Sequence, residues 1–262
     1  MQSPGIIKNL LLIILDGFGV APDSVGNAIT QAKPKNLTKL WNSYSHGYLL
    51  ASSEAVGLPE NTNGNSEVGH LNIGAGKIIY QNLPRINRSI KNRSFMKNTK
   101  LLAAVKHCSK LRSNIHLMIC LSDGSTHSHI DHLDATLETL KEQNFKYNVF
   151  IHAFTDGRDT PPRSASKFFE KLDKIISKRK IGQLATVIGR SFAMDRNLRW
   201  ERTEATYNLI VNHVGRKYLG WKEIIQSEYA AGNIDEHINP SWIESCLLYT
   251  SPSPRDRTRS RM

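Results

Sequence analysis

The sequence predicts an α/β protein with a mainly parallel sheet. Three observations carry that expectation. From Ile115 onward, short apolar runs alternate with stretches of helical character, the spacing expected of strands joined by crossover helices. Each apolar run leads directly into polar residues, as at the carboxyl edge of a parallel sheet, where ligands collect. Near the start, residues 10–15 are apolar without interruption, the pattern of a strand buried on both faces.

Taken in order, residues 10–15 read as a strand ending in Asp16-Gly17-Phe18-Gly19, followed by a helix near residues 37–44 and a strand near 47–51. The stretch Asn65-Ser66-Glu67-Val68-Gly69-His70-Leu71-Asn72-Ile73-Gly74-Ala75-Gly76 then reads as a glycine-punctuated loop opening a helix at Glu67. Residues 1–80 form a first domain and residues 81–83 a linker. Residues 84–243 hold three strand-then-loop units. Ile115–Leu121 leads to Asp123-Gly124 and a histidine group, residues 148–154 lead to Asp156-Gly157-Arg158-Asp159, and residues 185–189 lead to Arg190. Helices are expected over residues 131–142, 164–178 and 200–214, the last as packing.

Several of these residues carry chemistry. The Ser66 hydroxyl at a helix start faces free N–H groups and the positive end of the dipole, which suits an alkoxide or a bound phosphate; glycine-rich serine loops are also often only turns or caps. Asp16 at a strand end, with a serine available, suits a divalent metal that activates the hydroxyl; taken alone it reads as the start of a tight turn. His127-Ser128-His129-Ile130-Asp131-His132 fits the H-x-H-x-D-H pattern of binuclear metallo-β-lactamase-type hydrolases, whereas the plainer reading has His129 and His132 capping or packing at a helix start. Asp159 precedes Pro161-Pro162, and a stiff loop suits a general base. Arg190 and Arg196 offer two guanidinium forks for carboxylates and phosphates.

Leu15-Asp16-Gly17-Phe18-Gly19 together with the Ser66 loop resembles the cofactor-independent phosphoglycerate mutases, two-domain manganese enzymes related to alkaline phosphatases. The similarity continues through the His127 group, Asp156-Gly157-Arg158-Asp159, Gly189-Arg190, Ala193-Met194-Asp195-Arg196, Arg199-Trp200-Glu201-Arg202 and Asp235-Glu236, over residues 8–243. It implies a partial alkaline-phosphatase-like domain followed by an inserted α/β transferase domain. It further implies interconversion of 3-phosphoglycerate and 2-phosphoglycerate, in glycolysis and gluconeogenesis, without 2,3-bisphosphoglycerate. Ser66 would become phosphoserine, Asp159 would carry the hydroxyl proton, and His127, Arg158, Arg190 and Arg196 would bind substrate. Asp16 and Ser66 would hold part of a site for two manganese ions, with magnesium or another divalent metal as alternatives. Family chains run longer, so the sequence is expected to be an amino-terminal part, inactive by itself, of a cytoplasmic monomer.

Residues 246–262 break the pattern. Back-translated in one frame, Cys246 to Asp256 and Ser260-Arg261-Met262 spell a transposon-type sequencing adapter with an index between them, so this tail is expected not to be natural protein. It holds four arginines and one aspartate of a chain whose net charge is +12. The remaining basic residues are scattered without aromatic interleaving. That favours a small anionic substrate over a nucleic-acid module, the remaining alternative. Cys108 and Cys120 are the only cysteines outside the tail, which fits a reducing compartment rather than a disulfide framework. The run at residues 10–15 is too short to span a membrane.

Overall fold

The structure is a computed structural model that describes residues 9–124 and 126–244; the expected foreign tail at 246–262 lies outside them. The chain divides into two compact units, Met1–Gln81 and Asn82–Met262. Of the linker expected at residues 81–83, Asn82 and Leu83 already belong to a helix, because Pro84 suits the unbonded first turn.

In the first unit, α1 (Ala28–Ala32), α2 (Lys35–Ser43) and α3 (Ser66–Ala75) are the α-helices. Val56, Leu58 and Val68 form its small buried cluster. Asn72 ties α3 to its surroundings, donating from Nδ2 to Val56 O at 2.9 Å and accepting from Ile79 N at 2.6 Å. The strands expected at residues 10–15 and 47–51 do not form among the described residues. Leu10 is 88% exposed and Leu15 41%. The physical reason is that a strand needs a hydrogen-bonded neighbour, and this unit offers no sheet among its described residues. Gly69 and Gly74, expected in a loop, lie inside α3.

The second unit follows the predicted alternation. It opens with α4 (Asn82–Lys91) and α5 (Thr99–Leu111). Then come β1 (Ile115–Leu121), α6 (Ile130–Glu142), β2 (Val149–Thr155), α7 (Ala165–Arg179) and β3 (Gln183–Gly189). After β3 follow α8 (Arg190–Ala193), α9 (Trp200–Asn212), β4 (Arg216–Tyr218), α10 (Trp221–Ala230) and β5 (Ser241–Ile243). The sheet order is β1-β2-β3-β5-β4. β1, β2 and β3 are parallel, β5 runs antiparallel to β3, and β4 is parallel to β5.

Side-chain alternation, with one register shift between β2 and β3 at Ile151/His152, explains the layering. Leu121, Val149, Ile151, Ala153, Leu184 and Val187 turn to the face where Ile130, Leu133 and Leu137 of α6, Phe169 and Leu172 of α7, and Trp221 and Ile224 of α10 complete the core. Phe150 and Ala185 form a separate buried cluster. Three parallel strands thus end at one edge, and the loops that leave that edge carry the polar motifs.

Candidate active site

The site grows from the three strand ends. Ser122 follows β1, Asp156 follows β2, and Arg190 follows β3. Asp156 is 3% exposed and fully engaged. Its Oδ2 accepts from Ser122 Oγ at 2.5 Å. Its Oδ1 accepts from the backbone N–H groups of Arg158 (3.2 Å) and Asp159 (3.0 Å), closing the turn locally, and from Arg190 Nη1 at 2.5 Å. The same Arg190 nitrogen donates to Asp159 Oδ2 at 2.7 Å. His127 Nε2 lies 3.9 Å from that Asp159 oxygen.

Charge follows geometry here. Burial alone raises the Asp156 carboxyl, but donation from Ser122, the Asp159 amide, Arg190 and the Arg158 amide outweighs it and holds the group below the usual carboxylate range. Burial likewise works against the Arg190 cation, and its bonds to Asp159 and Asp156 reverse that and raise it above its ordinary value.

Close packing fixes the loops. A Cβ on Gly124 would come within 2.7 Å of Asp159 Cβ. Gly157 sits at φ +68°, and a Cβ there would meet Asp235 Cβ at 2.8 Å. Asp235, 1% exposed, is a second organiser. Its Oδ2 accepts from Ser164 N and Ala165 N at 2.8 Å each, capping α7 from 70 residues away. Its Oδ1 accepts from Tyr229 Oη. Thr155 Oγ1 donates to its carbonyl at 2.6 Å, and its own N–H donates to Pro162 O at 2.8 Å. Arg158 is exposed, with Nη1 3.5 Å from Glu236 Oε1. Arg196 is exposed and is bonded to no described residue. Asp195 accepts from Asn197 N at 2.9 Å and Arg199 N at 3.0 Å and so shapes the loop that carries it.

In the first unit, Ser66 opens α3, as expected. The cap is its neighbour, Asn65, whose Oδ1 accepts from Val68 N at 2.9 Å. The Ser66 hydroxyl is therefore left exposed and without a hydrogen bond among the described residues. His70, one turn on, has Nδ1 2.9 Å from Ser66 O, which a carbonyl can only accept, and 4.0 Å from Asp16 Oδ2. Asp16 is thereby placed beside the first turns of α3. Asp16 and Ser66 offer one carboxylate and one hydroxyl, and no cluster of three or more His, Cys, Asp or Glu able to hold a metal occurs among the described residues. These two side chains do not make a divalent-cation site by themselves. His129 serves structure: its Nδ1 accepts from Asp131 N at 3.2 Å and caps α6, while His132 Nε2 lies 2.7 Å from Asn87 Oδ1. The binuclear hydrolase alternative therefore loses its ligands.

Residues 86–250 match the family described as BPG-independent PGAM N-terminus. The chain belongs to that family of 2,3-bisphosphoglycerate-independent phosphoglycerate mutases. A curated mutase of this name from Clostridium beijerinckii is 48% identical over 234 residues, which are 89% of this chain and 46% of the relative. The Listeria monocytogenes mutase is 48% identical over 232 residues, 88% of this chain and 45% of its own length. A crystal structure of Leishmania mexicana phosphoglycerate mutase at low cobalt concentration aligns with a TM-score of 0.64 at 29% identity, covering 74% of this chain and 37% of that one. The chain thus spans about half the length of the curated mutases it matches. Within this mutase-family chain the structure brings together Asp159, Arg190 and His127 at one sheet edge, and Asp16 with the start of the Ser66 helix in the other unit. Arg158 and Arg196 stand exposed, and Arg158 is turned to Glu236. Sequence reasoning quoted Asp156 and Asp235 within motifs but gave them no role, and passed over Ser122. An aspartate or serine directly after a buried strand was the available signal.

Proposed function

We propose that this chain contributes the phosphoserine nucleophile and the glycerate-binding site of a mutase that interconverts 3-phosphoglycerate and 2-phosphoglycerate without 2,3-bisphosphoglycerate. The observation that carries it is the Asp159 carboxylate, held by Arg190 at 2.7 Å and 3.9 Å from His127, on loops leaving the carboxyl edge of a parallel sheet. The unbonded Ser66 hydroxyl at the start of α3 supports the nucleophile.

Ser66 Oγ gives up its proton and forms a bond to phosphorus as the bond from phosphorus to the glycerate oxygen breaks, and the leaving glycerate oxygen takes up a proton in its place. His127, Arg158, Arg190 and Arg196 retain the glycerate and its anionic groups. The other glycerate hydroxyl gives its proton to Asp159 and attacks the phosphoserine, the bond to Ser66 breaks, the Ser66 oxygen takes up a proton as Asp159 releases one, and the isomer leaves. A pair of manganese ions, or magnesium in their place, would lower the cost of charge at the serine. Such a pair needs more donors than Asp16 and Ser66. In this reading the whole protein is a cytoplasmic monomer acting on a small anionic substrate, with no nucleic-acid or membrane partner. Among the described residues no helix is long and apolar enough to cross a membrane.

The test uses the chain extended to the length of its relatives. With 3-phosphoglycerate and manganese, mass spectrometry of trapped protein should find phosphate on Ser66, and Ser66→Ala should be inactive. Asp159→Asn should still take up phosphate on Ser66 but lose about 100-fold or more of turnover, since an amide is no base. Phosphate on another residue, or full activity in Ser66→Ala, overturns the assignment.

A further inference from the structure

Asp156 is too buried to touch a substrate, yet the Asp159 turn and the Arg190 guanidinium both lean on it. Its Oδ1 holds the Arg158 and Asp159 amides, and Ser122 fixes the orientation of its Oδ2. Arg190 Nη1 has two hydrogens, and it spends one on Asp156 and one on Asp159. Nε and Nη2 remain for an incoming anion.

We propose that Asp156 is the positioning residue of this site: it fixes the Asp159 turn and shares the Arg190 guanidinium, so that Asp159 is not closed off in a private ion pair with Arg190. The choice of ligand, but not the positioning, rests on the phosphoglycerate reading. Two consequences follow from charge. Two carboxylates around one guanidinium leave a net negative charge, so Asp156 weakens the hold of Arg190 on an anionic substrate. It also divides the guanidinium that would otherwise bond Asp159 alone, which leaves the Asp159 carboxylate open to a substrate hydroxyl.

Asp156→Asn separates charge from shape. The amide oxygen still accepts from the two backbone N–H groups, while the charge on Arg190 loses half its partnership. Asp156→Ala removes both functions. Ser122→Ala removes the donor that orients Oδ2, together with the acceptor of the Gly124 N–H at 2.8 Å, and leaves the Asp156 charge in place; it carries the test if the Asn variant does not fold by circular dichroism. All are made in the chain extended to the length of its relatives. Without ligand, nitrogen-15 spectra of the arginine side chains should show the Arg190 Nη hydrogens exchanging with water about tenfold faster in Asp156→Asn than in wild type, and moderately faster in Ser122→Ala. Calorimetric titration with 3-phosphoglycerate should show Asp156→Asn binding about fivefold tighter than wild type and Asp156→Ala no tighter. A purely structural residue would weaken binding in both. Unchanged Arg190 exchange in Asp156→Asn, or equal weakening of binding by the Asn and Ala variants, overturns the proposal. Wild-type protein that does not bind 3-phosphoglycerate, with the faster Arg190 exchange still present in Asp156→Asn, overturns the substrate assignment and upholds the positioning.

Discussion

Single residues in this chain show how burial sets chemistry. His152 is wholly buried, with Nε2 3.0 Å from His116 Nδ1 and Nδ1 2.8 Å from Thr186 Oγ1. Burial first, then the neighbouring His116 and His213, push its imidazole down to about 4. His116 is lowered too, by burial and by His213. A histidine lowered on folding contributes stability that is complete above its unfolded value near 6.5 and is lost as pH falls from there to 4. For His152 the loss amounts to about 3 kcal/mol. Asp235, raised chiefly by burial, works in the opposite sense, because protonating it favours the fold. Urea unfolding should therefore show lower stability at pH 5 than at pH 7.5, and His152→Gln should flatten that difference; an unaltered slope in the variant would assign the acid sensitivity elsewhere. At this scale the sequence disclosed the residues that meet at the sheet edge better than their supports. Asp159, Arg190 and His127 stand in recognisable motifs, whereas the work of Asp156 depends on a serine 34 residues earlier and an arginine 34 residues later meeting it. No local pattern encodes that meeting.

Elements were legible where they were long and periodic. β1 matches its predicted bounds, and β2 and β3 begin or end within two residues of theirs; α6, α7 and α9 fall where the apolar spacing places them. β4 and β5 were missed, since three-residue strands carry too little alternation to read, and β5 takes its place only by pairing with β3 and β4. The buried strand expected at residues 10–15 failed for the converse reason, its pattern being present and its partners not. α7 shows what an element draws from afar. Ser164 makes no side-chain cap, and Asp235 supplies it instead. Asp235→Ala leaves two amides and the Tyr229 hydroxyl without their acceptor and should cost about 2–4 kcal/mol by urea unfolding. Asp235→Asn keeps an acceptor and should cost about 1 kcal/mol or less, because the carboxyl already pays for burial. Equal losses in the two variants would mean that the charge, not the cap, is what α7 requires.

Across the whole molecule the two units differ in what holds them. The second has one continuous core spanning β1, β2, β3, α6, α7 and α10, and the first buries three residues in its cluster and exposes residues 10–15. Hydrogen exchange should therefore be slowest in β2 and β3 and fast through residues 9–52. A chain of residues 82–244 should unfold in one cooperative transition and stay monodisperse, whereas the full chain should aggregate through its exposed aliphatic run. Loss of the transition in the shorter chain would show that its core needs the first unit. The chain divides after Gln81, beside the stretch at 81–83 expected as a linker; the condition of the first unit was not legible, because sequence reports what a segment buries, not whether its cover is present. The cap on α7 has, finally, a bearing on time. A ribosome that has released residue 200 has delivered β1, β2 and β3 and all the groups assigned to the glycerate, yet the carbonyl that receives Thr155 and the carboxylate that tops α7 lie 80 and 70 residues beyond their partners. The scaffold can pair as it emerges, but the clasp over its working edge arrives only with residue 235, so this edge sets late in the synthesis of the unit and stays exposed to a misplaced partner if translation stalls.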